Sequence, residues 1–153
     1  MENEAEFLER SVRIDPFDIQ REFTEVAATL SYWNEQYADA LGQQLHSKIA
    51  RERLHANLYF EKRKDLEASG IKRVTEAAAD AAIETDPRYM AVRDEEADAL
   101  AESTRLRGLV EAVRTKKDML VSLGAQLRAE LEGDPSLRKQ YANRKFNTDD
   151  LED

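Results

Sequence analysis

The chain of 153 residues contains no cysteine, so its fold is not held together by disulfides. It also has no apolar run that approaches the length of a membrane span. Its first residues, MENEAEFLERSVRIDPF, carry neither the apolar region of a secretory signal nor the Arg-rich pattern of a transit peptide. These absences predict a soluble, cytoplasmic protein with no membrane partner.

Motifs that mark enzymes are also missing. There is no Walker-type phosphate loop, no glycine-rich turn after a strand and no nucleophile motif. His46 and His55 are nine residues apart, whereas a metal site on one helix needs ligands on adjacent turns. The acidic run at 94–98 lacks the partner pattern of a di-iron bundle and is typical of a solvated face. The sequence therefore predicts a protein that is not an enzyme, with no catalytic residue, no metal and no cofactor.

Proline and glycine are scarce, and most of them stand where helices should begin or end. Asp followed by Pro is typical of a helix start, because Pro at the first helical position gives up an N–H that has no partner there anyway. This pair occurs at 15–16, 86–87 and 134–135. Gly70 and Gly133 are placed as C-terminal stops.

Apolar residues recur every three or four positions between Pro16 and Ser69, which predicts one long helix with a candidate bend at Gly42. A short Ala-rich helix is predicted from Thr75, and a second long helix over 87–131. The predicted fold class is all-α, an antiparallel hairpin of two long helices with a short connecting helix.

Aromatic residues make up 7% of the chain and charged residues 36%, a balance that suits long helices burying an apolar stripe against partners. We therefore expect a homo-oligomer whose core is shared between subunits. The predicted oligomer interface consists of the apolar stripe residues Leu30, Trp33, Tyr37, Leu41, Leu106, Val110, Val113, Leu120 and Leu127.

The net charge of −9 is unevenly distributed along the chain. Residues 1–47 carry ten acids and three bases, whereas 48–73 carry four acids and eight bases. Residues 74–103 return to nine acids and two bases, 104–128 have two acids and six bases, and 129–153 have seven acids and four bases. In a hairpin, the two basic segments are predicted to form one positive band if the second long helix folds back along the first.

Such a band would bind a phosphate backbone, because Lys and Arg release the counterions of the nucleic acid. An aromatic side chain among the cations could also stack on an unpaired base. The predicted nucleic-acid-binding residues are Lys48, Arg51, Arg53, Tyr59, Lys62, Arg63, Lys64, Lys72, Arg73, Arg114, Lys116 and Lys117. The alternative is that the basic runs are solvated faces or ion-pair partners, with Tyr59 and Phe60 in the core.

Two stretches carry a family resemblance, LSYWNEQYADALGQQLHSKIARERLHANLYFEKRK and GLVEAVRTKKDMLVSLGAQLRAEL. They resemble the UvsY recombination mediator family of tailed phages. In that family an aromatic-rich helix start leads into a Lys/Arg-rich helix that ends in paired aromatics, here Tyr59 and Phe60. A later helix, here beginning at 109–116, continues along an aliphatic seam to an Arg, here Arg128. The resemblance spans roughly residues 20–131.

The resemblance implies a small helical protein that assembles into a closed ring and binds single-stranded DNA. It further implies that the protein helps load a RecA-like recombinase onto strands covered by single-strand-binding protein, in the host cell cytoplasm if the chain is phage-encoded. We accordingly divide the chain into an acidic N-terminal segment (1–14), a helical oligomerisation and DNA-binding domain (15–133) and a polar, acid-ended tail (134–153). The competing hypothesis is a helical scaffold or adaptor that acts through protein contacts alone.

Overall fold

The computed structural model describes residues 4–15, 17–134 and 136, and over these ranges the chain is helical with no strand. The helices are α1 (Glu4–Val12), α2 (Ile19–Ala68), α3 (Glu76–Glu84) and α4 (Pro87–Gly133). Within the described ranges, none of them has the run of apolar side chains that a bilayer crossing requires. The all-helical class and the pair of long helices are thus confirmed, and α1 is a helix that we did not predict.

Two of the predicted helix starts are confirmed. Thr75 caps α3, and its hydroxyl oxygen accepts a hydrogen bond from the Ala78 amide. Asp86 precedes α4, and its Oδ1 accepts from the Arg88 amide at 2.9 Å. The predicted start of the first long helix is displaced, because the Oδ1 of Asp18 accepts from the third residue of α2 at 3.2 Å. Asp15 instead holds a turn that precedes the helix.

Gly70 ends α2, as predicted, and it has a positive φ of 95°. The Ile71 amide donates back to the Leu66 carbonyl at 3.3 Å, and the Gly70 amide donates to the Glu67 carbonyl at 3.1 Å. This hydrogen-bond pattern closes a helix through a residue in the left-handed region, which glycine enters without a Cβ clash. At Gly42, by contrast, α2 continues without a break.

The chain forms two compact units. Unit 1 contains residues up to Leu30 and from Glu111 onward, and unit 2 contains Ser31–Val110. Each long helix therefore contributes one stretch to each unit.

In unit 2, α2 and α4 run antiparallel, because the residue numbers of the α4 partners decrease as the residue numbers along α2 increase. The Ser103 hydroxyl donates to Gln44 at 2.8 Å, and farther along α2 Lys62 reaches Asp86. The core of this unit is a cluster of buried side chains from all three of its helices, namely Leu58, Ile83 and Tyr89, with Leu54, Tyr59 and Val92 packed against it.

In unit 1, a buried lysine of α4 contacts both α1 and α2. Lys116 Nζ lies 2.6 Å from a carboxylate oxygen of Glu22 on α2 and donates to the carbonyl of Arg10 on α1 at 3.0 Å. Elsewhere in this unit α2 and α4 approach closely, because a Cβ added at Gly124 would lie 3.0 Å from the ring of Phe23.

Five of the nine predicted oligomer-interface residues are buried within the single chain: Trp33, Leu106, Val110, Val113 and Leu120. Leu30, Tyr37 and Leu127 are half-buried, whereas Leu41 is 43% exposed. Leu41 and its neighbours Leu45 and Ile49 thus form an exposed apolar row on α2. Residues four apart are rotated by about 40° around the helix axis, so this row turns away from the partner helix. Residues seven apart stay almost aligned, and the series Val26, Trp33 and Ala40 is accordingly buried.

The predicted acid-ended tail lies largely outside the described residues, which end at 136.

Candidate nucleic-acid interface

The candidate site is built from pairs of cations that stand two residues apart on α2 in unit 2. Arg51 and Arg53 form one pair, and Lys62 and Lys64 form the other. A helix turns by about 100° per residue, so the members of each pair point to opposite sides. The first member of each pair faces the other helices of the unit, and the second faces solvent.

Arg51 is held between helices, with 27% of its side chain exposed. Its Nε pairs with Glu96 of α4, and its Nη1 donates to the Tyr89 hydroxyl at 3.5 Å. These hydrogen bonds, to Tyr89 and then to Glu96, raise the pKa of Arg51. Its guanidinium is therefore committed to packing α2 against α4.

Lys62 is held in the same way by Asp86, whose side chain is only 4% exposed. The Lys62 ammonium lies 2.8 Å from one carboxylate oxygen, and the Arg88 guanidinium lies 2.9 Å from the same atom. Hydrogen bonds from Arg88 and Lys62 hold the pKa of Asp86 well below its usual range. Arg88 also reaches Glu61 at 2.6 Å, so this cluster joins the C-terminal half of α2 to the start of α4.

Arg53 and Lys64 are exposed, and no carboxylate among the described residues lies within ion-pair distance of either. They lie on the outward face of α2, which we define as the exposed residues His46, Ile49, Ala50, Arg53, Ala56, Asn57, Phe60 and Lys64. None of these eight is acidic. Three exposed carboxylates border this face, and each is within ion-pair distance of a cation: Glu52 of Lys48, Glu61 of Arg88 and Glu67 of Arg63.

The paired aromatics divide between the core and the surface. Tyr59 is half-buried and packs against the core cluster of unit 2. Phe60, the next residue, is 68% exposed and lies on the outward face of α2. Of the two, Phe60 is therefore the side chain that a base could reach, although our prediction named Tyr59.

The remaining predicted cations of unit 2 are accessible to different degrees. Lys72 and Arg73 are exposed in the turn between α2 and α3 and have no ion-pair partner among the described residues. Arg63 contacts Glu67 at 3.4 Å, and Lys48 Nζ is 4.0 Å from Glu52. Both contacts are between exposed side chains of one helix, a type of ion pair that contributes little and exchanges easily for another anion.

The predicted cations of the second basic segment lie in unit 1. Lys116 is 6% exposed and bound to Glu22, so it is a structural residue. Arg114 pairs with Glu111 at 2.7 Å, and Lys117 lies 3.3 Å from Asp118.

The second basic segment, 104–128, is divided between the two compact units: Arg105 and Arg107 lie in unit 2 with the first basic segment, and its other four bases lie in unit 1. In unit 2 the basic segment 48–73 lies against the acidic segment 74–103, through ion pairs such as Lys62 to Asp86. In unit 1, Lys116 lies against the acidic N-terminal part of α2. In each unit, cations of a basic segment thus form ion pairs with carboxylates of an acidic segment.

Sequence reasoning did not separate the structural cations from the exposed ones. The sequence did contain a signal for this separation. Arg51 and Lys62 lie on the same face of the helix as the buried Leu58, whereas Arg53 and Lys64 lie on the opposite face. Applying that signal required knowing which face of α2 is covered.

Among the described residues, no group of three or more His, Asp or Glu side chains is arranged to hold a metal ion. Comparison of the chain with protein-family models, curated proteins and solved structures found no match.

Proposed function

We propose that this protein binds single-stranded DNA through the outward face of α2 and acts as a recombination mediator. In that role it helps load a RecA-like recombinase onto strands covered by single-strand-binding protein, as a homo-oligomer of ring form. The observation that carries the proposal is a pair of cations on the outward face, Arg53 and Lys64, which are exposed and have no ion-pair partner among the described residues. The mediator role itself rests on the sequence resemblance.

The energetics of such a face follow from counterion release. Each cation that neutralises a phosphate of a single strand adds about 0.7 to the slope of log affinity against log salt, equivalent to about fivefold in affinity at 0.1 M salt. Among the residues that the structure describes, Arg53 and Lys64 have no ion-pair partner to give up, so their contribution is not offset by the loss of such a pair. Lys72 and Arg73 would extend the same positive surface into the turn that follows.

The alternative function, a helical scaffold that acts through protein contacts alone, is favoured by a different observation. Leu41, Leu45 and Ile49 leave an exposed apolar row on α2, which is typical of a protein contact surface. A scaffold would use this row and would not need Arg53 and Lys64.

The deciding experiment compares two variants that lose the same charge from opposite sides of one helix. Fluorescence anisotropy is measured with a labelled thymidine oligonucleotide at several salt concentrations. Replacing both Arg53 and Lys64 by Ala should lower affinity about 25-fold at 0.1 M salt and reduce the salt slope by about 1.4. Replacing both Arg51 and Lys62 by Ala removes the same charge but should leave the slope unchanged.

Circular dichroism and thermal melting establish that each variant is folded before titration. If the Arg51 and Lys62 variant unfolds, Arg114→Ala with Lys117→Ala provides a second charge-matched control, since both residues are in unit 1. Equal loss of affinity in the test and control variants would show that only net charge matters. Absence of binding by the unmodified protein would favour the scaffold.

The mediator role needs its own measurement. A RecA-like recombinase hydrolyses ATP when it assembles on single strands, and single-strand-binding protein slows that assembly. We expect the protein to shorten the lag before hydrolysis on covered strands, and the Arg53 and Lys64 double variant to shorten it much less. An unchanged lag with intact DNA binding would limit the function to binding.

A further inference from the structure

Phe60 is the most exposed large apolar side chain of unit 2, with 68% of its surface accessible. An isolated exposed apolar residue is ordinary on a protein surface and by itself carries no function. The surroundings of this residue are less ordinary, because it lies on the outward face of α2 between Arg53 and Lys64.

The position of Phe60 relative to the two cations follows from helix geometry. Arg53 precedes it by seven residues and Lys64 follows it by four, which places all three on one side of the helix. At about 1.5 Å per residue, the cations lie about 10 Å and about 6 Å from it along the helix axis. A strand held by both cations would therefore pass over the phenyl ring.

The ring is also supported from behind. Tyr59 meets it in a perpendicular arrangement with centroids 5.8 Å apart, and Tyr59 is itself packed against the core cluster of unit 2. A side chain held on one side by a fixed neighbour loses less conformational freedom when a ligand stacks on its other side.

We propose that Phe60 is a base-stacking platform that makes the outward face of α2 select unpaired bases. This inference rests on the proposed function and specifies which chemical form of nucleic acid the site takes. The cations recognise phosphate, which single strands and duplexes share, whereas the phenyl ring recognises the face of a base, which is accessible only when the base is unstacked and unpaired. Every base has such a face, so the selection is for strand form and not for sequence.

The test compares oligonucleotides that have the same phosphates but differ in bases. The first is a strand of roughly 16 thymidines, long enough to cover one binding site, and the second is an abasic strand of equal length. The unmodified protein should prefer the thymidine strand by about tenfold for one stacked base. Phe60→Ala should bind both strands equally and should retain the salt slope of the unmodified protein.

Two variants control for packing and for apolar surface. Phe60→Trp keeps an aromatic ring and should restore the preference for bases. Leu100→Ala removes apolar surface from α4, where Leu100 is 51% exposed and lies outside the outward face of α2, and it should leave the preference intact. All variants should keep the melting temperature of the unmodified protein, because both side chains are exposed.

The outcomes separate this inference from the proposed function. If the unmodified protein binds neither strand, both are overturned. If it binds both strands equally, the site reads phosphate alone and only the stacking role of Phe60 is overturned. If Phe60→Ala alters the sedimentation coefficient and leaves the preference for bases unchanged, Phe60 contacts another protein chain and is not a platform for bases.

Discussion

Arg51 and Arg53 stand two residues apart on α2, yet Arg51 meets Glu96 on another helix while Arg53 is exposed to solvent. Lys62 and Lys64 repeat the contrast eleven residues later. The inward side of α2 uses its cations to hold helices together, whereas the outward side leaves them available to a ligand. A count of basic residues does not distinguish these two uses, because the distinction depends on the direction in which each side chain points.

The largest difference between the two sides should appear when an apolar side chain is truncated. Leu58→Ala removes a side chain that is 1% exposed, and we expect it to lower the free energy of unfolding by about 3 kcal/mol. Leu45→Ala, on the same helix but 58% exposed, should change it by less than about 0.5 kcal/mol. Urea denaturation followed by circular dichroism measures both. Similar losses would mean that another chain covers Leu45.

A comparable contrast is expected in unit 1 between adjacent lysines. Lys116→Ala leaves the carboxylate of Glu22, 12% exposed, without its ammonium partner, which should cost about 3 kcal/mol of unfolding free energy. Lys117→Ala removes an exposed contact with Asp118 and should cost less than about 1 kcal/mol. If chemical denaturation gave equal unfolding free energies for these two variants, the buried ion pair would stabilise the fold no more than the exposed contact does.

The acid stability of unit 2 should depend on Asp86. Because its folded-state pKa is lowered by Arg88 and Lys62, its ionised form stabilises the fold above about pH 4, and that contribution is lost as the pH falls further. Asp86→Asn should therefore be less stable than the unmodified protein at pH 7, and the difference should shrink below about pH 4. Denaturation midpoints between pH 7 and pH 2 measure this. Asp94→Asn makes the same change at an exposed position of α4 and is the matched control. A constant difference between Asp86→Asn and the unmodified protein over this pH range would contradict the role of the ionised carboxylate.

The smallest effects are expected at the helical glycines. Gly42 and Gly108 have open space where a Cβ would lie, so replacement of either by Ala should raise the unfolding free energy by about 0.5 to 1 kcal/mol. A Cβ added at Gly124 would lie 3.0 Å from the ring of Phe23, so Gly124→Ala should be less stable than the other two variants. Thermal melting of the three single variants ranks them. An equal gain at Gly124 would show that the Phe23 ring moves aside without cost.

Much of the local structure could be predicted because its determinants are close in sequence. The caps at Thr75 and Asp86 and the stop at Gly70 depend on hydrogen bonds within a few residues. The start of α2 was predicted too early, since Asp15 and Asp18 are both acceptable caps, and only the latter bonds the first turn. The residue types offered no way to choose between them.

The candidate site was predictable only in part. The sequence indicated that cations and aromatics concentrate over 48–73, but the prediction treated Arg51, Lys62 and Lys116 as ligand contacts when each is bound to a carboxylate. It also expected a single positive band, whereas the second basic segment is divided between the two compact units, with Arg114, Lys116 and Lys117 in unit 1. Each of these differences arises from contacts between residues far apart in the chain.

The sequence by itself determined that the described chain is helical, where most of its helices end and which segments carry each sign of charge, because propensity, capping and periodicity act over one or two turns. Tertiary structure alone decided which side of α2 is covered, and so it separated Arg53 and Lys64 from Arg51 and Lys62. It also decided that Tyr59 packs against the core while Phe60 remains exposed. The physical reason is that helical periodicity defines which residues share a face, whereas the burial of that face depends on a partner helix dozens of residues away.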